Sequence, residues 1–555
     1  MLRNLEKHEK YQNKYRPHDV FWGLGMEHET YLESSKLKQI SPKDIKEHKQ
    51  PERYSISYYD VYDTERFEKT IDDLFPIDSA KILVPILINS HTLLRTDRNG
   101  EHALTNDRIP KPNPKCQELI LFEWMKLENP DIFEEEYQQS FTFDGDTIEF
   151  MTQHFYKATV KNVLEELNSI EKSFIRAFNS LSREGVLKQY GPCSIMKQNY
   201  PFASYITNIK NNSMFNNGTM QINITLPTKL DHEGKVADRE LFRKQHQVYA
   251  RTIQWLSPLL VAIYGSPDPL SESKQYGHWY AAGSQRIAVS RYTSLGTYDT
   301  DQMEEGVQLT KKRENVVRTD WYDHFHQHTN YHQLEEIGMD LNFNKHQNHG
   351  LEIRFLDAMA IPRLEEVIEC LIYLADFSLR YEITNPIHSD RWHHIAAQCV
   401  HLGKGYQMTV SDQHQLYTML HIPYLSKEPL FVEEVLHIIQ KELKKQHHHG
   451  RCASCFLHGE PYADKPLAPL APLAPLAPLA PLEIAEPEQK KKEEVLQEQE
   501  KEQEQEQEQE KEEKRDEEQE HLQVQNDNYE IPSGQHSQQS QLLASQKKSL
   551  FCWCC

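Results

Sequence analysis

Four short segments, spread over more than 300 residues, carry polar side chains at alternate positions between apolar ones. Successive side chains of a β-strand point to opposite faces, so the polar members of each segment share one face. Acidic pairs that face an apolar core are costly, whereas acidic pairs that face a cleft bind cations. The pattern predicts an antiparallel sheet whose polar face holds metal-bound nucleotide. The segments are Gly25–Glu29, Ile148–Thr152, Thr219–Asn223 and Leu351–Arg354.

The first 460 or so of the 555 residues have the composition of a soluble intracellular protein. Residues 1–19 are polar and contain no apolar signal-peptide core. The longest apolar stretch, residues 253–265, is shorter than the roughly 20 residues of a membrane span. Several cysteines are widely spaced single residues, which is typical of a reducing compartment. We therefore expect a cytoplasmic protein.

The net charge of −22 argues against nucleic acid as a partner. Half of this charge belongs to the tail from Glu483 onward, which holds 20 acidic and 9 basic residues. The remaining chain is still acidic, which disfavours binding to phosphate backbones. We expect small-molecule partners instead.

Helical patterns follow the strand segments along the chain. Apolar residues recur at three and four residues between Val163 and Leu181, before Gly185. A second pattern covers residues 238–263, with Leu241 among its expected buried residues and a kink expected at Pro258. Pro362 begins a third helix. Strands followed by covering helices indicate an α+β domain.

The C-terminal region divides into three parts of different composition. Residues 461–482 contain an unbroken Pro-Leu-Ala repeat, which predicts an extended polyproline-type spacer. Residues 483–546 are rich in Glu, Gln and Lys, and they lack the apolar period of a coiled coil, which predicts a disordered or single-helical charged arm. Residues 547–555 form a cysteine-rich end. We therefore expect the ligand-binding domain to span residues 1–460.

Two cysteine clusters leave alternatives open. Cys552, Cys554 and Cys555 follow two lysines, which suits membrane tethering by lipidation or simply accessible thiols in a frayed tail. Cys452 and Cys455 form a Cys-x-x-Cys pair between histidines, which suits zinc or a polar helix end before a linker. The sequence contains no Walker-type loop, no complete dinucleotide fingerprint and no Gly-x-Ser-x-Gly elbow. ATP would have to be bound in another way.

In type and order, the four segments resemble those of the glutamate–cysteine ligases and related carboxylate–amine ligases (amidoligases). The resemblance extends in outline from about Phe21 to Leu443, and about thirty residues carry it specifically. It implies a glutamine synthetase-like α+β fold, in which helices cover an antiparallel sheet that forms a funnel-like active site. It also implies ATP-dependent formation of an amide bond, γ-glutamyl or peptide, through an acyl phosphate. Residues 32–141 are an insertion relative to the family pattern.

The resemblance also implies roles for individual residues. The four glutamates would hold Mg²⁺ on ATP and should converge on one sheet face within metal-bridging distance. Arg354 would bind the transferred phosphoryl group and Arg286 an anionic substrate group. The remaining polar residues would contact cofactor or substrate. The metal residues are Glu27, Glu29, Glu149 and Glu352, and the cofactor-binding residues are Gln221, Asn223 and Arg291.

Two other functions remain open at this point. An inactive member of the fold could act as a binding or scaffold protein through its charged arm. A guanidino phosphotransferase, which uses a related sheet, is the enzymatic alternative. Four close carboxylates repel one another without a cation, which favours an enzyme over a purely structural role.

Overall fold

The structure is a computed structural model, and it describes about half of the chain. The chain divides into two units, Met1–Leu470 and Ala471–Cys555. The spacer from residue 463 onward, the charged arm, and the C-terminal residues Cys552, Cys554 and Cys555 lie outside the described residues. The described ranges are 16–40, 82–88, 121–133, 140–144, 147–184, 190–196, 218–267, 282–284, 297–303, 340–344, 348–423 and 426–462.

A six-stranded antiparallel sheet is the centre of the described fold, with strand order β4-β5-β1-β7-β9-β8. A second sheet has the order β3-β2-β6, and β10 pairs with β11. The strands are β1 Val20–Thr30, β2 Leu32–Ile40, β3 Ile82–Ile88, β4 Phe141–Asp144, β5 Thr147–Met151, β6 Cys193–Ile195, β7 Thr219–Lys229, β8 Leu341–Phe343, β9 Leu351–Asp357, β10 Gln407–Met408 and β11 Leu430–Phe431.

Helices cover the apolar face of the six-stranded sheet. The helix α3 packs on β1 and β5, and α4 packs on β7 and β9. Helices α5 to α8 pack around α4, α9 packs on α3 and α5, and together they complete one hydrophobic core. The helices are α1 Leu121–Glu128, α2 Pro130–Phe133, α3 Val160–Glu184, α4 Arg239–Tyr264, α5 Ile361–Ser378, α6 Asp390–Leu402, α7 Val410–Met419, α8 Val432–His447 and α9 Arg451–His458.

The α+β prediction is therefore confirmed at the level of an antiparallel sheet with covering helices. The insertion contributes β2 and β3 to the smaller sheet. No helix within the described ranges is long and apolar enough to cross a membrane.

The three predicted helices are present as α3, α4 and α5. Asp238 caps α4 by accepting a hydrogen bond from Leu241 N, and Pro362 lies in the first turn of α5. The prediction that Leu241 is buried was wrong, because its side chain is 51% exposed. In the first turn of α4 the neighbouring residue, Phe242, enters the core instead, where it packs against His246.

Helix α4 continues through Pro258, which has no N–H to donate to Gln254 O. That carbonyl accepts a hydrogen bond from Trp392 Nε1 at 2.8 Å instead. It also accepts one from Ser257 Oγ at 3.0 Å. Trp392 on α6 thus compensates for the proline and joins α6 to α4.

His246 joins helix α4 to the central strand β7. Its Nε2 accepts a hydrogen bond from Leu226 N at 3.0 Å, so Nδ1 carries the proton and donates to Phe242 O at 2.8 Å. The side chain is fully buried, and burial lowers the pKa of His246 to about 4. A methyl group on Gly350 would lie 2.3 Å from Nε2, so only glycine fits beside the ring.

Replacing His246 with glutamine should destabilise the protein by about 2 kcal/mol at pH 7.5, since it leaves the buried Leu226 N–H poorly satisfied. The pKa of His246 is lower in the folded state than in the unfolded state, so the unfolded state binds the proton first as pH falls. The contribution of this residue to the free energy of unfolding is therefore lost between pH 6.5 and about 4. The difference in the free energy of unfolding between wild type and variant should therefore become smaller in that pH range. Urea unfolding of both proteins at several pH values measures this difference.

The matched control is His232→Gln, because the side chain of His232 is exposed. This control should track the wild-type stability at every pH. A deficit for His246→Gln that stays constant between pH 7.5 and 4.5 would contradict the buried neutral histidine.

Candidate functional site

The four predicted segments lie in four neighbouring strands, β5, β1, β7 and β9. Each was predicted as a strand, and each is one. Segments separated by more than 100 residues are thus adjacent in the sheet, and the strand register determines which side chains share a face.

Three rows of directly opposed residues cross these strands on the same face. The face they form is called the polar face below. Residues directly opposed across antiparallel strands lie on the same side of a sheet, and so do residues two apart in one strand. The first row is Thr142, Glu149, Glu29, Thr219 and Asp357; the second is Met151, Glu27 and Gln221; the third is Gly25, Asn223, Glu352 and Asn342.

The other face of the same strands is mostly apolar and includes one buried histidine. Met26 and Phe150 lie in the hydrophobic core. His28 lies between them in the sheet, and its Nδ1 is 2.6 Å from Glu171 Oε1 of α3. The charged and amide side chains therefore face away from the core, as the alternating pattern requires.

Side-chain amides hold the glutamates of the polar face. Gln221 Nε2 donates to Glu29 Oε1 at 2.5 Å. Asn223 Nδ2 donates to Glu27 Oε1 at 3.4 Å. Each amide lies on β7 and its carboxylate on β1, so the contacts tie the two central strands together above the backbone.

Arg354 provides positive charge beside these carboxylates. Its Nη1 lies 3.2 Å from Glu352 Oε2 in an ion pair whose carboxylate is almost fully buried. Burial by itself would lower the pKa of Arg354, but Glu352 and the β1 glutamates raise it above its ordinary value. Arg354 therefore stays charged and interacts with three of the four predicted metal-binding glutamates, Glu27, Glu29 and Glu352.

Gln221 also offers an oxygen to this face. Its amide N–H must point at the Glu29 carboxylate, because a carboxylate only accepts hydrogen bonds, so the orientation of the amide is determined. The buried carbonyl oxygen Oε1 then has no hydrogen-bond partner among the described residues. A buried oxygen without a donor, next to carboxylates, fits a hard cation such as Mg²⁺.

The glutamates share the face without converging on one point. No group of three or more His, Cys, Asp or Glu side chains within the described ranges is placed to hold a metal ion. The expectation of a common bridging distance was therefore wrong, because the four residues lie on β5, β1 and β9, and β7 separates β1 from β9. Neighbouring strands are about 4.8 Å apart. Mg²⁺ in nucleotide sites commonly takes one or two carboxylates and completes its shell with water and phosphate oxygens.

Two polar residues of this face were missed from the sequence. Asn342 on the edge strand β8 donates through Nδ2 to Glu352 Oε2 at 3.2 Å. Asp357 is buried on the face, where Oδ2 accepts a hydrogen bond from Ser266 N at 2.8 Å. Asn342 was missed because its strand has only three residues and gives no alternating pattern.

A β-bulge explains why Asp357 was missed. Between the pairs Ile222–Ile353 and Met220–Leu356, β9 has one more residue than β7. Strict alternation would place Asp357 on the face opposite Glu352, but the extra residue returns it to the polar face.

An aromatic pair closes one end of the polar face. The ring of Phe155 lies over β1, where a methyl group on Gly23 would come within 2.2 Å of it and one on Gly25 within 3.0 Å. His349, which lies just before β9, packs on this ring with 4.5 Å between the centroids. The glycines are required here because any side chain would displace Phe155. The polar face is lined by polar side chains around Glu29 and covered by the ring of Phe155 beside Gly23.

Two of the predicted residues cannot be placed. Arg286 and Arg291, expected to bind substrate and cofactor, lie outside the described residues. Ser284, just before that segment, is buried, and Gly283 N donates to Val400 O at 3.1 Å. Their roles stay predictions.

The zinc interpretation of Cys452 and Cys455 is not supported. Both thiols lie in the hydrophobic core on α9. Burial raises the pKa of Cys452 well above its ordinary value and that of Cys455 to about 12, which favours the thiol over the thiolate that binds zinc. The N-terminus of α9 is capped by Asp376, which accepts hydrogen bonds from Cys452 N and Ala453 N. This segment is a packed helix that completes the domain.

Comparison with models of protein families returned no match. Among solved structures, the chain is similar to a bifunctional glutathione synthetase from Pasteurella multocida at 8% identity and a TM-score of 0.32. The match covers 80% of this chain and 49% of the other, so the chain spans about half of that enzyme. A likeness this low establishes neither a shared fold nor a shared activity.

Sequence comparison is more informative about ancestry. "Uncharacterized protein R704" of Acanthamoeba polyphaga mimivirus is 35% identical over 452 residues, which cover 80% of this chain and 78% of that protein. With this identity over most of both lengths, the chain belongs to the same protein family as mimivirus protein R704.

Proposed function

We propose that the protein is an ATP-dependent carboxylate–amine ligase that forms an amide bond through an acyl phosphate. One observation carries this proposal. The strand register places four glutamates, two amides and one arginine from four neighbouring strands on a single face. Such a combination suits a metal-bound polyphosphate beside an anionic substrate.

The negative charge of the polar face explains why we propose ATP bound together with Mg²⁺. A face with four glutamates repels an anion, so it binds nucleotide phosphates only together with cations. Mg²⁺ bound with ATP would neutralise phosphate charge and polarise the transferred phosphoryl group. One or two of the carboxylates Glu27, Glu29, Glu149 and Glu352 would hold it, and water and phosphate oxygens would complete its shell. The buried Gln221 Oε1 supports this assignment because its environment contains no hydrogen-bond donor for it among the described residues.

Arg354 has a separate role in the proposed reaction. Phosphoryl transfer depends mainly on positioning and on stabilising charge at the oxygens of the transferred group. A planar guanidinium that Glu352 already orients provides such donors without reorganisation. The resemblance assigns Arg286 to the carboxylate substrate, and this assignment remains part of the proposal.

The proposal predicts Mg²⁺-dependent ADP release by the full chain only when a carboxylate and an amine are both present. A panel of amino acids, with glutamate and cysteine included, would identify the pair, and mass spectrometry would detect the amide product. Omitting either substrate is the control.

The other outcomes separate the alternatives. ADP release with a guanidino compound alone, and a phosphorylated product, would establish a phosphotransferase. ATP binding without ADP release for any pair would favour a binding protein.

A further inference from the structure

The three carboxylates Glu27, Glu29 and Glu352 share one arrangement on the polar face. Each accepts a hydrogen bond from a side-chain amide on the neighbouring strand. Glu29 is held by Gln221 and Glu27 by Asn223. The third amide, Asn342 of β8, holds Glu352 in the same way, at 3.2 Å.

Uncharged amides suit this face for an electrostatic reason. An amide donates to a carboxylate without neutralising it, so the carboxylate keeps its full charge for a cation. A lysine in the same place would compete with the cation. Asn223 on β7 also separates two of the charges, since it donates to Glu27 on β1 and lies directly opposite Glu352 on β9.

Glu352 receives a second donor on the same oxygen. Arg354 Nη1 and Asn342 Nδ2 both lie 3.2 Å from Oε2, one from the same strand and one from the edge strand. Two donors on one oxygen fix the rotation of the carboxylate about its last bond. Arg354 supplies charge, while Asn342 supplies only direction, since it sits directly opposite Glu352 in the register.

We infer that Asn342 is a positioning residue that orients Glu352 for the cation that accompanies the nucleotide. The inference rests on the proposed function for the identity of the ligand. Partners that orient a metal-binding side chain typically change metal affinity 10- to 100-fold when removed. Asn342 should therefore control cation affinity and not the fold.

The test measures Mn²⁺ binding to the full chain by electron paramagnetic resonance in the presence of ATP, together with the Mg²⁺ concentration that gives half-maximal ADP release. Asn342→Ala should weaken Mn²⁺ binding roughly tenfold or more and raise the Mg²⁺ requirement to a similar extent. Its urea unfolding curve should stay close to wild type, which separates a loss of cation affinity from a loss of stability. Asn162→Ala, which changes an exposed asparagine of α3, is the matched control and should alter none of these.

Asn342→Leu tests donation apart from side-chain size and charge. It keeps the approximate size of the side chain, removes the donor and adds no charge. Orientation by donation predicts weaker Mn²⁺ binding in this variant, as in Asn342→Ala. Unchanged Mn²⁺ binding in both variants would overturn the inference. If no substrate pair gives ADP, the proposed function fails, but Mn²⁺ binding still tests the role of Asn342.

Discussion

Replacing Arg354 with lysine is expected to lower substrate-dependent ADP release roughly 100- to 1,000-fold at saturating Mg²⁺, because loss of one preorganised donor to developing charge has an effect of this size. Lysine keeps the positive charge but lacks the planar guanidinium group that donates a hydrogen bond to Glu352. Arg354→Gln should lose more activity, since it also leaves three interacting glutamates without their cationic neighbour. Steady-state ADP release by each purified variant measures the loss.

The matched control for Arg354 is Arg391→Lys on α6. Arg391 also donates to a buried carboxylate, Asp412 Oδ1 at 3.0 Å, but neither residue belongs to the six-stranded sheet. The Arg391→Lys variant should release ADP at nearly the wild-type rate. If Arg354→Lys retained most of its activity as well, the guanidinium would have no special role in phosphoryl transfer.

Replacing Glu149 with glutamine should change activity and stability in opposite directions. Glu149 lies directly opposite Glu29 on the neighbouring strand, and like charges in that relation destabilise a sheet. Removing one charge should raise the free energy of unfolding without Mg²⁺ by about 0.5–1 kcal/mol. It should also lower ADP release roughly 100-fold, about 2.7 kcal/mol of transition-state stabilisation, since a cation ligand is lost.

Urea unfolding in the presence of a chelator and ADP release at several Mg²⁺ concentrations check the two effects on Glu149→Gln. Glu165→Gln on α3 is the control, because Glu165 is exposed and pairs loosely with Lys161 at 3.9 Å. A variant that loses stability while losing activity would show that Glu149 holds the sheet together instead of serving a cation.

The alternation of side chains between the two faces of each strand could be predicted from the sequence. Glu27 and Glu29 lie on one side of β1 because side chains two apart must do so, and Met26 packs on the other side for the same reason. The helices were equally readable, since the apolar period of α3 and the Pro362 start of α5 are local signals. The alternatives for Cys452 and Cys455 stayed open in the sequence because Cys-x-x-Cys spacing contains no information about burial, and both thiols are buried.

By itself, the sequence determined which residues are strand-borne, which of them share a face within one strand, and which family the segments resemble. Only the tertiary structure decided how the strands pair, because register between segments more than 100 residues apart depends on packing and turns that no local pattern records. The register placed Glu149 opposite Glu29 and Asn223 opposite Glu352. The bulge in β9 brought Asp357 to the same face, since one unpaired residue reverses the alternation that follows it.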